Sequence, residues 1–98
     1  MKKNMIIVGA GLAGLSAALQ AVKEGCSVKL ISSLPSERAQ SVMAEGGINA
    51  ALNTKGEDDS TQEHYEDTIK AGCNLADPNA VWNMTQAAPE VVKWLHSI

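Results

Sequence analysis

The chain has 98 residues, which is enough for one small domain at most. Its 8 basic and 11 acidic residues give a net charge of −3 and form no long block of one sign, which excludes the basic patch of a nucleic-acid-binding protein. No Phe, one Tyr and two Trp are too few for a base-stacking surface. No apolar run approaches the roughly 20 residues that a membrane-spanning helix needs, so we expect membrane attachment only through partner proteins.

A short apolar run leads straight into a glycine turn near the start of the chain. Residues 4–8, which are apolar without alternation from Met5 to Val8, predict a strand buried on both faces of a parallel sheet. The spacing G-x-G-x-x-G follows. In it, Gly9 allows the chain to turn sharply, Gly11 allows a pyrophosphate to come close to the backbone, and Gly14 allows the helix to pack close to the strand. Free N–H groups at the helix start would face the phosphates. These features predict a dinucleotide site over residues 9–14.

The next elements complete one βαβ unit. Residues 12–24 predict a helix with Gly25 as its stop, and Ser27 to Ile31 predict the second strand. Three apolar residues of the helix fall at helical spacing and should face the sheet: Leu15, Ala18 and Val22. The expected fold class is α/β.

The second predicted strand ends on two serines. The dinucleotide fingerprint usually has Asp or Glu at this place, where the carboxylate accepts hydrogen bonds from the ribose hydroxyls. Ser32 and Ser33 stand there instead, and a serine reaches a ribose hydroxyl more weakly. This departure disfavours an ordinary NAD dehydrogenase and favours a flavoprotein that does without the acid.

The middle of the chain predicts irregular structure. A polar connection over residues 34–40 is followed by apolar segments on either side of Gly46 and Gly47. Two adjacent glycines would allow the backbone to approach something flat or phosphorylated, but spacing alone is equally compatible with an ordinary loop. A charged loop over residues 53–59 follows.

The last part of the chain predicts helices. A capping box at Ser60 to Glu63 starts a helix that should run to about Ala71 and stop at Gly72, and Asp77 with Pro78 starts another. We expect Pro89 to open a further helix, because proline fits poorly inside one. The chain shows one βαβ unit and then a helix without a stop signal, so we expect an incomplete, N-terminal part of a larger cofactor-binding domain.

The cysteines and histidines form no metal-binding or catalytic pattern. Cys26 and Cys73 lack C-x-x-C spacing and predict reduced thiols. His64 and His96 have no second His or Cys at ligand spacing, which favours a packing or solvated role for both. Neighbouring carboxylates over residues 63–67 point to different faces of the helix and predict a solvated surface.

Several strings together resemble the flavoprotein subunit of succinate dehydrogenase and fumarate reductase. The family pattern of Ala-Gln/Glu-Gly-Gly-Ile is matched by residues 44–48, and an acidic loop follows. Residues 67–72 read Asp-Thr-x-x-x-Gly, which is similar to the family's Asp-Thr-x-x-Gly with one residue more before the glycine. Ala88-Pro89-Glu90 is also similar to the family. The likeness covers nearly the whole chain and is more specific than the glycine turn alone.

This resemblance implies that residues 1–98 are the N-terminal part of an FAD-binding domain, a Rossmann-like βαβ unit followed by helices. It places the pyrophosphate on residues 9–14 and the flavin with its ribityl chain along residues 32–47. The family's substrate-binding and proton-delivering residues lie further along its chains, so no catalytic residue is expected here. The implied cofactor-binding residues are Gly9, Ala10, Gly11, Leu12, Ala13, Gly14, Ser32, Ser33, Arg38, Ala39, Gln40, Ser41, Ala44, Glu45, Gly46 and Gly47.

One residue departs from the family pattern. Two positions after the family's arginine, here Arg38, the respiratory members carry the histidine that is bonded covalently to the flavin. Gln40 stands in that place, and an amide is not nucleophilic enough to form the bond. The resemblance therefore implies noncovalent FAD, and the missing link favours fumarate reduction over succinate oxidation.

Three functions remain open. The first is an FAD-dependent oxidoreductase that interconverts fumarate and succinate, with an iron–sulfur subunit as a partner. The second is L-aspartate oxidase, a relative with noncovalent FAD, which Gln40 fits well. The third is an inactive nucleotide-binding fragment, because 98 residues are few for a whole enzyme. The expected location is cytoplasmic, with peripheral attachment to the inner face of the cell membrane as a further possibility.

Overall fold

A computed structural model describes residues 2–98. The chain divides into two compact units, one that ends at Gly46 and one over Gly47–Ile98. The first unit contains strand β1, helix α1, strand β2, a 3-10 turn and the one-turn helix α2, with the bounds Asn4–Val8, Leu12–Lys23, Ser27–Ile31, Ser36–Arg38 and Gln40–Met43. The second unit contains α3 and α4, with the bounds Thr61–Ala71 and Pro78–Ser97. This order of one βαβ unit followed by helices confirms the predicted α/β class.

Strands β1 and β2 form a two-stranded parallel sheet. The register pairs Asn4 with Ser27 and Val8 with Ile31, and α1 supplies the crossover that parallel strands require. The expectation that β1 is buried on both faces is wrong for the described chain, because Ile6 is 66% and Val8 is 83% exposed. No third strand and no second helix layer of this unit covers them within residues 2–98.

The face that α1 turns to the sheet differs from the predicted one. Ala21 is buried, and Leu15 and Ala18 are partly covered, but Val22 is 59% exposed. Gly14, Ala18 and Ala21 follow one another at four and three residues and so share one face. The close contact of Gly14 with the turn before the helix sets this rotation, and Val22 is then turned away from the sheet.

Helix α1 ends as its glycine predicted. Gly25 has a φ of +80°, and its N–H donates to the carbonyl of Val22 at 2.9 Å. The N–H of Cys26 reaches back to the carbonyl of Ala21, also at 2.9 Å. These two bonds satisfy the last carbonyls of the helix in a Schellman motif.

Helix α3 begins and ends where predicted, from Thr61 to Ala71 with Gly72 as its C-cap. The Ser60 hydroxyl accepts the N–H of Glu63 at 3.1 Å, which forms the first half of the capping box. At the other end Gly72 has a φ of −80°, and Cys73 and Asn74 take the left-handed conformation instead. The Cys73 N–H donates to the Lys70 carbonyl at 3.0 Å and the Asn74 N–H to the Ile69 carbonyl at 3.1 Å, so the left-handed turn that closes the helix follows Gly72.

Helix α4 runs through Pro89, so the predicted new helix at that residue is wrong. A proline inside a helix loses the bond to the carbonyl four residues earlier, here that of Thr85. The burial pattern explains why the helix nevertheless continues: Val81 and Thr85 before the proline are buried, and Val92 and Leu95 after it are partly covered. These four residues share one face of a continuous helix, and a break at the proline would separate them.

Helices α3 and α4 pack directly on one another. The ring of Tyr65 meets that of Trp82 edge to face, with a centroid distance of 5.2 Å and an interplanar angle of 81°. The Thr61 hydroxyl also donates to the Gln86 side-chain carbonyl at 2.8 Å. An aromatic pair of this geometry contributes about 0.5–1.5 kcal/mol beyond its buried area. Over residues 2–98 no helix has both the length and the apolar character needed to cross a membrane.

We expect the start of α4 to depend on the Asp77 side chain, whose Oδ1 accepts the N–H groups of Asn79 at 2.8 Å and Ala80 at 3.3 Å. Replacing Asp77 by alanine should lower the free energy of unfolding by about 1 kcal/mol, measured by urea denaturation. Asp77→Asn is the matched control, because an amide oxygen still accepts both bonds. Equal stability of Asp77→Ala and wild type would show that this cap contributes nothing.

Candidate dinucleotide site

The glycine turn between β1 and α1 is built around a backbone conformation that favours glycine. Gly9 has a φ of +112°, and its N–H donates to the carbonyl of Ile31 at 2.8 Å. An added Cβ at Gly9 would meet no atom within 4 Å, so the requirement here is conformational, not steric. The bond to Ile31 carries the strand pairing one residue past the end of β1.

Gly14 allows the first turn of α1 to lie against the backbone of the glycine turn. A Cβ at this position would lie 1.8 Å from the carbonyl oxygen and 2.9 Å from the carbonyl carbon of Gly9. The same Cβ would be 3.6 Å from the Cγ2 of Ile7. Because the nearest atoms are backbone, no side-chain adjustment could make room. The close packing expected of Gly14 is present, and its closest partner is the turn itself.

The start of α1 leaves backbone N–H groups open. Gly11 is the N-cap residue, and its carbonyl accepts the N–H of Leu15 at 3.0 Å. The Leu12 N–H donates to the Ser41 hydroxyl at 3.0 Å. The N–H groups of Ala13 and Gly14 have no hydrogen-bond partner within residues 2–98. Two unpaired donors at a helix N-terminus, with no acidic residue in the first turn, fit an anionic group such as a pyrophosphate.

The two serines after β2 lie at the same sheet edge as the glycine turn. Val8 and Ile31 are paired at the carboxyl ends of the parallel strands, and Ser32 and Ser33 follow Ile31 directly. Both serine side chains are exposed. Ligands of open α/β sheets bind at this edge, and the contact of the two serines with a ribose stays a prediction.

The segment that was expected to be irregular contains two short helical pieces. Arg38 ends the 3-10 turn, Ala39 is the extended residue before α2, and Gln40 starts α2. Arg38 and Gln40 are exposed. Helix α2 was not predicted, because its four residues are too few to show a helical period.

The candidate residues after α2 are extended and open. Ala44 has extended backbone at the end of α2, and Glu45 is exposed. A Cβ added to Gly46 or to Gly47 would meet no atom within 4 Å. Gly46 closes the first unit and Gly47 begins the second. The structure therefore joins the glycine turn to Ser41 within the first unit, while the space next to each of the paired glycines is open in the described part of the chain.

The second unit has a concavity of its own that sequence reasoning did not predict. It has a volume of about 960 Å³ and is lined by polar residues that include Asn53, Lys55, Asp59 and Asp67. His64 also lines it, and its Nδ1 is buried with no hydrogen-bond partner in the described residues. No group of three His, Cys, Asp or Glu side chains within residues 2–98 is placed to hold a metal ion.

Comparison with known proteins identifies the class. Residues 4–98 match the FAD binding domain family, and the chain belongs to that family. It is 48% identical over 94 residues to the succinate dehydrogenase flavoprotein subunit of Bacillus subtilis, which covers 96% of this chain and 16% of that protein. These matches confirm FAD as the cofactor and the resemblance to the succinate dehydrogenase and fumarate reductase flavoproteins.

Two further relatives are named for other activities. The NADH:fumarate oxidoreductase of Klebsiella pneumoniae is 35% identical over 96 residues, which cover 94% of this chain and 10% of that protein. The L-aspartate oxidase of Caulobacter vibrioides is 43% identical over 96 residues, which cover 95% of this chain and 18% of that protein. The chain thus spans less than a fifth of the length of each of these relatives.

We expect substitution by alanine to destabilise the protein at Gly14, which packs on backbone, and to have little effect at Gly46, which has open space around it. Gly14→Ala should lower the free energy of unfolding by about 1–3 kcal/mol or prevent folding, because the new methyl group meets the Gly9 carbonyl. Gly46→Ala is the matched substitution with open space around it and should change stability by less than about 0.5 kcal/mol. Thermal or urea unfolding of both variants tests this, and equal stabilities would contradict the packing described for Gly14.

Proposed function

We propose that the protein is an FAD-dependent oxidoreductase that interconverts fumarate and succinate, with fumarate reduction favoured. The observation that carries the proposal is the start of α1, where Ala13 and Gly14 offer two unpaired N–H groups at a glycine turn, in a chain of the FAD binding domain family. FAD supplies a reversible hydride acceptor and donor when it is bound.

The residues of this chain would bind and orient the cofactor. The amides of Ala13 and Gly14 are the proposed pyrophosphate donors, and Gly9 and Gly11 keep side chains away from that approach. Ser32 and Ser33 are the proposed partners of the ribose hydroxyls, because they follow β2 at the same sheet edge. The proposed flavin and ribityl contacts lie further along the first unit and at the start of the second: Arg38, Ala39, Gln40, Ser41, Ala44, Glu45, Gly46 and Gly47.

The substrate and the electron carrier would be bound by parts of the protein other than these residues. The dicarboxylate substrate would be bound by residues outside this chain, and electrons would pass to or from an iron–sulfur subunit. The similarity to a succinate dehydrogenase flavoprotein subunit supports such a partner. We propose a cytoplasmic protein, held at the inner face of the cell membrane through partner subunits where it is attached at all.

L-Aspartate oxidase is the second candidate. The observation that favours it is Gln40, which replaces a flavin-linking histidine of the respiratory members, together with 43% identity to an L-aspartate oxidase. The purified protein should reduce fumarate with a reduced dye as electron donor and show no turnover with L-aspartate. Oxidation of L-aspartate with little fumarate reduction would favour the second candidate and contradict the first.

We predict that the flavin is held noncovalently. Gln40 is exposed, and its amide is a poor nucleophile, so no bond to the flavin 8α-methyl group should form. Acid precipitation of the yellow protein should release all the flavin into the supernatant, measured by its absorbance and fluorescence. Flavin that remains with the precipitated polypeptide would show that this prediction is wrong.

The third possibility concerns the 98 residues by themselves. The two-stranded sheet with its exposed apolar side chains offers part of a flavin site at most. We expect the isolated chain to be inactive and to purify without bound flavin, so its absorbance between 350 and 500 nm should lack the flavin bands. A yellow isolated chain with FAD at one equivalent would overturn this expectation.

A further inference from the structure

Ser41 makes a contact that joins two distant parts of the first unit. Its Oγ accepts the N–H of Leu12, the first residue of α1, at 3.0 Å, across 29 positions in the sequence. Helices α3 and α4 are capped by the side chain of the residue directly before them, Ser60 and Asp77. Helix α1 has Gly11 at that place and therefore no capping side chain of its own.

Gly11, the second glycine of the turn, leaves room for the Ser41 hydroxyl. A Cβ added to Gly11 would lie 3.2 Å from the Ser41 Oγ, which is closer than most Cβ contacts in proteins. Gly11 has a φ of −84°, so an alanine would suit its backbone and the constraint is steric. Gly11 thus gives space to Ser41 as well as to any phosphate.

We propose that Ser41 is a positioning residue for FAD. Its hydroxyl replaces the missing N-cap of α1 and holds α2 against the glycine turn. It occupies the Leu12 N–H and leaves those of Ala13 and Gly14 to the cofactor. This inference rests on the proposed function only where it concerns FAD, because the bond between Ser41 and Leu12 is formed without it.

The proposal also explains how the short helix α2 is held in one position. Helix α2 has four residues, and a helix of that length is not stable by its own hydrogen bonds. Ser41 is its second residue, so the bond to Leu12 fixes the residues on either side of it, including Gln40. A segment that is ordered before the cofactor binds loses no further conformational entropy on binding, so the affinity for the cofactor is higher.

The test compares two side chains of the same shape in the full-length protein that contains this chain, with FAD removed and then added back, because the isolated 98 residues are expected to hold no flavin. Ser41→Thr keeps the acceptor oxygen, and Ser41→Val has nearly the volume of threonine without it. We expect Ser41→Thr to bind FAD within about twofold of wild type and Ser41→Val to bind about fivefold to tenfold more weakly, measured by quenching of flavin fluorescence. Ser36→Ala is the control within the same segment, because its hydroxyl makes no hydrogen bond in residues 2–98, and it should bind FAD as wild type does.

Hydrogen exchange of the Leu12 amide gives a second measurement that does not require the cofactor. The Leu12 N–H should exchange about tenfold faster in Ser41→Val than in wild type or Ser41→Thr, while the Asn79 N–H, capped by Asp77, should not change. FAD affinity or Leu12 exchange in Ser41→Val equal to wild type would overturn the proposal. Failure of the proposed function would instead appear as wild-type protein without fumarate turnover, with the Leu12 result unaffected.

If Ser41→Val does not fold, Gly11→Ala tests the same contact. Its methyl group presses on the Ser41 Oγ, so it should destabilise the wild-type background more than the Ser41→Ala background. The difference between the two losses, measured in a double-mutant cycle by urea unfolding, is the coupling of the pair. Additive losses would overturn the proposal.

Discussion

The contact between Gly14 and the carbonyl of Gly9 determines how the first unit is arranged. At 1.8 Å from the Gly9 oxygen, the position of a Gly14 Cβ lies inside the backbone of the turn. This contact fixes the distance between helix and sheet and also the rotation of α1 about its axis. Ala18 and Ala21 therefore face the sheet, and Val22 does not. The rotation in turn decides where the N–H groups of Ala13 and Gly14 point, so the packing of one glycine establishes the candidate phosphate site.

A comparison of the helix starts shows why α1, and not another helix, is available to an anion. The Ser60 hydroxyl and the Asp77 carboxylate satisfy the first N–H groups of α3 and α4 from within their own segments. Gly11 cannot do so, and Ser41 satisfies one N–H from a distance. Two N–H groups of α1 remain unpaired in the described chain, and burial of a cofactor phosphate there would satisfy them.

The parts of the structure that the sequence predicted correctly are those determined by neighbouring residues. Both strands, the start of α1, the Gly25 stop and the caps at Ser60 and Asp77 follow from apolar period and local hydrogen bonding. Two expectations about the helices were wrong because tertiary contacts decided the outcome. Val22 is turned outward by the packing of Gly14, and α4 continues through Pro89 because its covered face spans the proline. The Ser41 bond joins residues 29 positions apart, and no local pattern could have indicated it.

The apolar composition of β1 predicts burial, but β1 is largely exposed in this chain. Residues 5–8 are apolar without alternation, which is typical of a strand covered on both faces, yet Ile6 and Val8 are largely exposed. A sheet of two strands is marginal by itself in water. The chain also spans 16% of the length of its Bacillus subtilis relative. The apolar surface of β1 is therefore left largely uncovered by residues 2–98. The glycine turn does not depend on the covering of β1, because Gly9, Gly14 and the Ser41 bond to Leu12 are all within the first unit.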